Sequence, residues 1–342
     1  MRKIVVHRPG GFDRLRLEQH AEPVPAAGQV RVSTRAVGVN YADCIVRMGL
    51  YKSAREFVGW PITPGFEFAG VVSELGEGVH DLSPGDAVLG VTRFGGYASD
   101  VVVPRELVMP IPAELDMTQA ATFPVVFLTA WYALFELCRL RPGSKVLVHS
   151  AAGGVGSALC QLARAAGADV LGVVGSPSKV EAALAQGAAR VIDKSGDDLW
   201  ARAEEFAPHG FQAVLDANGP ETLKHSFRHL APAGRLVVYG FHTMLPHGGR
   251  PNPLRLLFQY LSTPRVSPHD LVDQNKSVLG FNLSYLFHEL DLFERAMSDL
   301  FAKLQSGAIR PLSVAAVALD RAGEAHRQLQ SGTTTGKLAL IP

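Results

Sequence analysis

The segment Ser150-Ala151-Ala152-Gly153-Gly154-Val155-Gly156 carries the G-x-G-x-x-G spacing of a dinucleotide-phosphate loop, with Ala151 in the first glycine position. Such a loop holds a pyrophosphate with backbone alone. Its second glycine lets the main chain approach the phosphates, and these rest on the free N–H groups opening the next helix. Gly153 takes that place, Ala152, Gly154 and Val155 flank it, and Gly156 lets the helix close on the preceding strand. An NAD site usually adds an acid for the ribose hydroxyls about 20 residues further on. Here the matching stretch is Val174-Gly175-Ser176-Pro177-Ser178-Lys179, which has none. A carboxylate would repel a ribose 2′-phosphate. Gly175 makes room for one, Ser176, Ser178 and Lys179 bring donors and charge, and Lys194 can close from the other side. This pattern favours NADPH over NADH.

These residues need a parallel sheet beneath them, and the second part of the chain spells one out. Lys145–His149 is a short β-branched run suited to a buried parallel strand. A helix follows over Val155–Ala166 with Gly167 as its cap. Val170–Val174, Val191–Asp193, Ala213–Asp216 and Arg235–Gly240 continue the strands. Helical segments fall between them: one from the Ser176 N-cap and Pro177 to Gly187, then 198–206 and 221–230. Strand and helix in alternation predict an α/β fold with a doubly wound parallel sheet. Beyond it, prolines loosen the pattern from 242 to 276 around an apolar run, Leu254–Leu261. Ser277–Leu283 reads as a further strand and Phe287–Gln305 as a long amphipathic helix. The first part, up to about Pro124, is instead rich in short β-type runs, such as Gln29–Thr34 and Ala69–Leu75, punctuated by Gly and Pro. It predicts a compact, mostly antiparallel β domain.

Composition narrows the classes. The chain has 342 residues, enough for about two domains, and 33 basic residues against 32 acidic ones. That balance, with no block of about five or more like charges, leaves little field for a nucleic acid. No run of ~18 apolar residues predicts a membrane span, and the start predicts no signal peptide. Cys44, Cys138 and Cys160 form no CxxC pair and read as reduced thiols, which places the protein in the cytoplasm.

Several motifs of the first domain then fall in a recognisable order: Asn40-Tyr41-Ala42-Asp43, Met48-Gly49-Leu50-Tyr51, Pro64-Gly65-Phe66-Glu67-Phe68-Ala69-Gly70, Gly85-Asp86-Ala87-Val88 and Ala151–Gly156. Over nearly its full length the chain resembles the medium-chain dehydrogenase/reductase superfamily, and within it the zinc-free quinone oxidoreductase branch. The stretch Gly280–Leu286 is most like the vesicle-amine-transport-protein-like members of that branch. The resemblance implies a GroES-like catalytic domain over 1–124, completed by 285–342, and a dinucleotide-binding domain over 125–284.

The zinc enzymes of the superfamily hold catalytic zinc through a Cys where this chain has Asn40, and through a His where it has Phe66. Neither replacement is a ligand of the kind zinc takes, and the four-cysteine lobe for a structural zinc is missing, so no metal is expected. Without a Lewis acid to lower the pKa of an alcohol, the cleft suits hydride transfer onto an already electrophilic carbon, in a quinone or an α,β-unsaturated carbonyl. By resemblance Asn40 and Tyr41 lie near the nicotinamide, and Tyr51 matches the proton donor of related enoyl reductases. Thr129 matches a contact to the nicotinamide amide. Gly240, Phe241, Phe281 and Asn282 match strand ends facing the ring, and Lys337 matches a residue that reaches the cofactor phosphates. His149 and Glu67 read as structural.

Two other functions stay open. One is an enoyl-thioester reductase of fatty-acid or polyketide assembly, with Arg250, Arg255 and Arg265 at a basic entrance. The other is a non-catalytic NADPH-binding protein lying on a membrane surface through Leu254–Leu261. That same run otherwise lines the cleft or a subunit contact. The resemblance also implies a homodimer, paired through the Ser277–Leu283 edge.

Overall fold

The computed structural model describes residues 1–244 and 252–342. Two sheets dominate it. The first is seven-stranded and mostly antiparallel, built on the long strand Gln29–Val39. Burial alternates along the first half of that strand: Val30, Val32 and Thr34 are buried while Gln29, Arg31 and Ser33 are not. This is the signature of a sheet with one solvated face. Glu67–Leu75 and Asp100–Pro104 pair with it on either side. At its C-terminal end Lys337–Ile341 pairs antiparallel with it, Leu338 opposite Val39, and Val314–Ala318 lies parallel beyond. The last strand of the chain therefore sits inside the sheet of the first domain.

The second sheet has six parallel strands in the order Arg190–Asp193, Asp169–Val174, Lys145–His149, Phe211–Asp216, Leu230–Val238, Ser277–Gly280. The order reverses between Lys145–His149 and Phe211–Asp216, so a crevice for a dinucleotide opens outside the carboxyl ends of these two strands. Both are buried almost throughout, as strands covered on two faces must be. The predicted strands are all present. The edge strand is shorter than expected, ending at Gly280, because Asn282 turns the chain into a single helical turn by accepting from the Ser284 N–H.

The helices shift slightly. Gly154–Ala165 follows the phosphate loop, and the long late helix starts at Leu290 rather than at Phe287. Ser176 does not cap through its side chain. Pro177–Lys179 forms one 3-10 turn before the helix Val180–Ala185, and the Ser176 hydroxyl turns to Ser178 instead. One core spans both domains. It joins Phe123, Phe127 and Leu134 to Val146, Val148 and Leu159 of the parallel sheet and to Met297 and Leu300 of the late helix. The apolar run falls in a helix, Pro253–Leu261, with Leu254, Leu257, Phe258, Tyr260 and Leu261 exposed. Arg250 and the side chain of Arg255 lie outside the described residues, and Arg265 is exposed.

Candidate functional site

The phosphate loop leaves Lys145–His149 through Ser150, whose φ of 56° turns the chain sharply enough for the Gly153 N–H to return to the Ser150 carbonyl at 2.9 Å. No side chain caps the helix that begins at Gly154, so its N-terminal N–H groups are left for a ligand. A Cβ on Gly156 would stand 2.2 Å from the Ser150 carbonyl oxygen and 2.8 Å from the Ala151 Cα, both backbone atoms that cannot yield. Only glycine lets helix and strand meet here. Ala151 and Ala152 are buried beneath the turn. This uncapped, glycine-tight helix start fits a dinucleotide pyrophosphate.

The crevice beside Gly175 is open. Among the described residues, a Cβ on Gly175 would meet only Lys194 Cε, at 3.9 Å. Ser176 and Ser178 hydroxyls lie 3.0 Å apart beside it. Gly175, Ser176, Ser178 and Lys194 thus border one open space and no acid lies in the turn. The Lys179 ammonium instead donates to the Gly332 carbonyl, from the loop before the last strand.

Across the crevice stands the helix Tyr41–Met48, entered through Asn40, and the turn Tyr51 makes before Lys52–Phe57. Asn40 is buried. Its Nδ2 donates to Glu67 Oε1 at 2.8 Å and its Oδ1 accepts from Lys337 Nζ at 2.7 Å. Asp43 holds the start of this helix, accepting from the Asn40 N–H and the Gly65 N–H at 2.8 Å each. Burial pushes its carboxyl up to about 7 against those two donors. Tyr41 stands edge-on to His242 at 6.1 Å between ring centroids, and burial raises its hydroxyl pKa and lowers that of the imidazole.

The Tyr51 hydroxyl donates to Asn282 Oδ1 at 2.9 Å and lies 2.9 Å from the Ser284 hydroxyl. The Ser284 N–H also needs Asn282 Oδ1 as its acceptor, at 2.9 Å, which fixes the carboxamide orientation and makes the phenol the donor. The Ser284 hydroxyl then donates to the phenol oxygen. Burial raises the Tyr51 pKa. Its ring meets Phe66 and Phe94 at 5.7 and 6.4 Å, so the place of a metal-binding imidazole is an aromatic wall. Among the described residues no group of three or more His, Cys, Asp or Glu side chains is placed to hold a metal.

The remaining expected contacts divide. Gly240 and the exposed Phe241 lie against Ala217 and Gly219, at the end of Phe211–Asp216 and so at the crevice. Phe281 packs on Tyr132 and Tyr239. Thr129 returns its hydroxyl to the Val125 carbonyl at 2.7 Å within its own helix. Lys337 departs from the expectation of a phosphate contact. Its ammonium is buried and donates to the Val39 carbonyl, Asn40 Oδ1 and Glu67 Oε1. The antiparallel register with Gln29–Val39 brings it to Asn40. His149 is buried, with Nε2 3.1 Å from the Ser226 hydroxyl, a structural setting.

Three contributors have partners that the sequence did not reveal, although Glu67 itself was read as structural. Ser284 holds Tyr51 from 233 positions away. Asn218 accepts from the Ser150 hydroxyl, bracing the phosphate loop. Glu67 binds Asn40, Lys337 and, through Oε2, the Val125 N–H at 2.8 Å. Only the proximity of Glu67 to Phe66 offered any signal.

A GroES-like sheet joined to a six-stranded dinucleotide sheet, with a polar and aromatic crevice between them, defines a dehydrogenase-type nucleotide-binding protein. Residues 26–113 match the alcohol dehydrogenase GroES-like domain and residues 154–300 the zinc-binding dehydrogenase domain. The synaptic vesicle membrane protein VAT-1 homolog of Rattus norvegicus is 34% identical over 344 residues, covering 100% of this chain and 84% of that protein. Escherichia coli quinone oxidoreductase complexed with NADPH superposes with a TM-score of 0.86 at 30% identity, covering 100% of both chains. The CurK enoyl reductase gives a TM-score of 0.86 at 27% identity, covering 99% of this chain and 98% of that one. The chain belongs to the medium-chain dehydrogenase/reductase superfamily, alongside quinone oxidoreductases and VAT-1 homologues.

Proposed function

We propose that this protein is an NADPH-dependent, zinc-independent oxidoreductase that delivers hydride to a quinone or an α,β-unsaturated carbonyl. The carrying observation is the crevice itself. A phosphate loop with an acid-free 2′ pocket faces Asn40 and Tyr51 across an aromatic wall that includes Phe66. Likeness to a quinone oxidoreductase complexed with NADPH supports the cofactor.

When bound, the nicotinamide supplies the hydride. The chain does the rest. Gly153, Gly154 and Val155 hold the pyrophosphate, and Gly175, Ser176, Ser178, Lys179 and Lys194 surround the 2′-phosphate. Gly240, Phe241, Phe281, Asn282 and Thr129 border the ring. Asn40 offers its remaining amide N–H to the acceptor's carbonyl oxygen, where negative charge grows, which is the most effective place for a fixed donor. Tyr51, held by the Ser284 hydroxyl, turns its O–H from Asn282 Oδ1 to supply a proton where a carbon needs one, and regains that proton from water. The aromatic wall excludes water and accepts a flat conjugated ring. Asn40 and Phe66 offer no ligand set for zinc, so activity should survive chelation.

The direct test is NADPH oxidation against quinones, enones and enoyl thioesters, before and after chelation. Turnover of quinones or enones supports the reading, and stoichiometric zinc whose removal abolishes activity would falsify it. Turnover restricted to enoyl thioesters favours the second reading, an enoyl-thioester reductase, which the likeness to the CurK enzyme supports. The exposed apolar helix Pro253–Leu261 and the VAT-1 likeness motivate a third, a non-catalytic membrane-surface protein. Flotation of the protein with vesicles, without any turnover, would favour it. The free, buried Cys44, Cys138 and Cys160 fit a reducing cytoplasm.

A further inference from the structure

We propose that Lys337 is a positioning residue that sets the orientation of the Asn40 carboxamide and ties it to the phosphate loop. The proposal rests on the reading of Asn40 as the donor to the substrate.

The ammonium of Lys337 has three protons and three acceptors: the Val39 carbonyl at 3.0 Å, Asn40 Oδ1 at 2.7 Å and Glu67 Oε1 at 3.0 Å. No proton remains for a phosphate. Lys337, Asn40 and Glu67 are 5%, 7% and 0% exposed, so water does not compete for these bonds. The carboxamide can lie only one way. Its oxygen meets a cation and one of its N–H groups meets a carboxylate, 2.8 Å away. Turned over, it would set its NH₂ against the ammonium and its oxygen against the carboxylate, two repulsions in a dry site. Glu67 is itself pinned, since Oε2 accepts from the Val125 N–H at 2.8 Å. The result is one remaining Asn40 N–H with a fixed direction.

The same lysine reaches the cofactor side through its stem. A Cβ on Gly154, the first residue of the helix after the fingerprint, would stand 3.0 Å from Lys337 Cδ. The turn that holds the pyrophosphate and the amide that faces the acceptor are therefore set by one side chain. The fold supplies the reason: Lys337 opens the last strand, and its register against Gln29–Val39 ends beside Asn40. A buried pair of this kind contributes little net stability, but half of it alone is costly.

The test uses the full-length protein with Lys337→Met, Lys337→Arg and the charge-neutral double variant Lys337→Met/Glu67→Gln. Four readouts are combined: NADPH and NADH affinity by fluorescence, kcat at saturating cofactor, Tm, and the Asn40 side-chain amide signals of ¹⁵N-labelled protein, assigned by their loss in Asn40→Asp. Lys337→Met should lower kcat about tenfold or more while both affinities stay within about threefold, and should move the Asn40 amide signals. Lys337→Arg should recover part of the kcat. The double variant should melt close to the parent yet keep the kcat loss, which separates positioning from folding even if Lys337→Met alone does not fold. Two results overturn the proposal. One is an equal, tenfold or greater loss of affinity for both cofactors with kcat and the amide signals unmoved, which makes Lys337 a phosphate ligand. The other is a lowered Tm with the other readouts unmoved, which makes it structural only. If the parent protein reduces no acceptor, the functional reading fails, while the amide and affinity readouts still decide the role of Lys337.

Discussion

On the proposed reading, cofactor preference rests on Gly175 and its neighbours, and the chemistry is that of single side chains. A charge-assisted hydrogen bond to a phosphate is worth roughly 1.5–3 kcal/mol. Lys179 reaches the Gly332 carbonyl from a turn that also carries Ser176 and Ser178, and a lysine stem can swing between that carbonyl and a phosphate nearby. Lys179→Ala should thus weaken NADPH by about tenfold or more and leave NADH nearly unchanged. Gly175→Asp has space to enter and would sit beside Lys194, drawing that ammonium away while repelling the phosphate. The cofactor preference should reverse. Fluorescence titration of both variants with both cofactors checks this, and equal losses for NADPH and NADH in Lys179→Ala would place the phosphate elsewhere. Tyr51 invites a second test. Hydride addition to an enone leaves a carbon to be protonated, whereas a reduced quinone takes its protons on oxygen from water. Tyr51→Phe should lower enone turnover by about a hundredfold and quinone turnover by less than about threefold. Parallel steady-state assays decide it, and equal effects on both would make the phenol a packing group for Asn282 and Ser284.

At the scale of elements, the joint between Lys145–His149 and the helix Gly154–Ala165 is the least tolerant. The two come so close that a single methyl at Gly156 would collide with backbone. Overpacking of this sort typically costs about 1–3 kcal/mol, or roughly 2–10 °C in a domain of this size. Gly156→Ala should lower Tm within that range and weaken NADPH and NADH together, since the pyrophosphate common to both loses its seat. Calorimetry with the same titrations measures it. A loss confined to NADPH would contradict the assignment of this loop to the pyrophosphate.

On the scale of the whole molecule, Ser277–Gly280 stands at the edge of the parallel sheet and pairs only with Leu230–Val238 among the described strands. An unpaired edge invites another chain. We expect two copies to join these edges about a two-fold axis as a homodimer. Light scattering at micromolar concentration should give about twice 36.7 kDa, and a mass near 36.7 kDa would contradict it. Val278→Pro, which removes a ladder donor without charge, should shift the mass toward the monomer. The chain should also divide as 1–124 with 285–342 against 125–284, and limited proteolysis near those joints would reveal it.

The nucleotide half was legible in the sequence because its signals are local. A β-branched run, a glycine loop and a helix follow one another within about twenty residues, and the pyrophosphate is bound by backbone that those residues shape directly. The missing acid after Val174 needed no structure either, because the residue that selects the cofactor lies at a fixed distance from the loop. The candidate crevice was legible only in part. Asn40, Tyr41 and Tyr51 could be named as types, but their partners are remote in the chain. Lys337 meets Asn40 from 297 positions away and Ser284 meets Tyr51 from 233. Those meetings depend on the register of the last strand against Gln29–Val39 and on the turn that follows Ser277–Gly280. Register is set by the burial of whole sheet faces, a sum over many side chains with no local mark. The sequence determined which groups are available. Tertiary packing decided that the Lys337 ammonium faces Asn40 and Glu67, because only the closed sheet brings a buried lysine and a buried carboxylate within reach of each other.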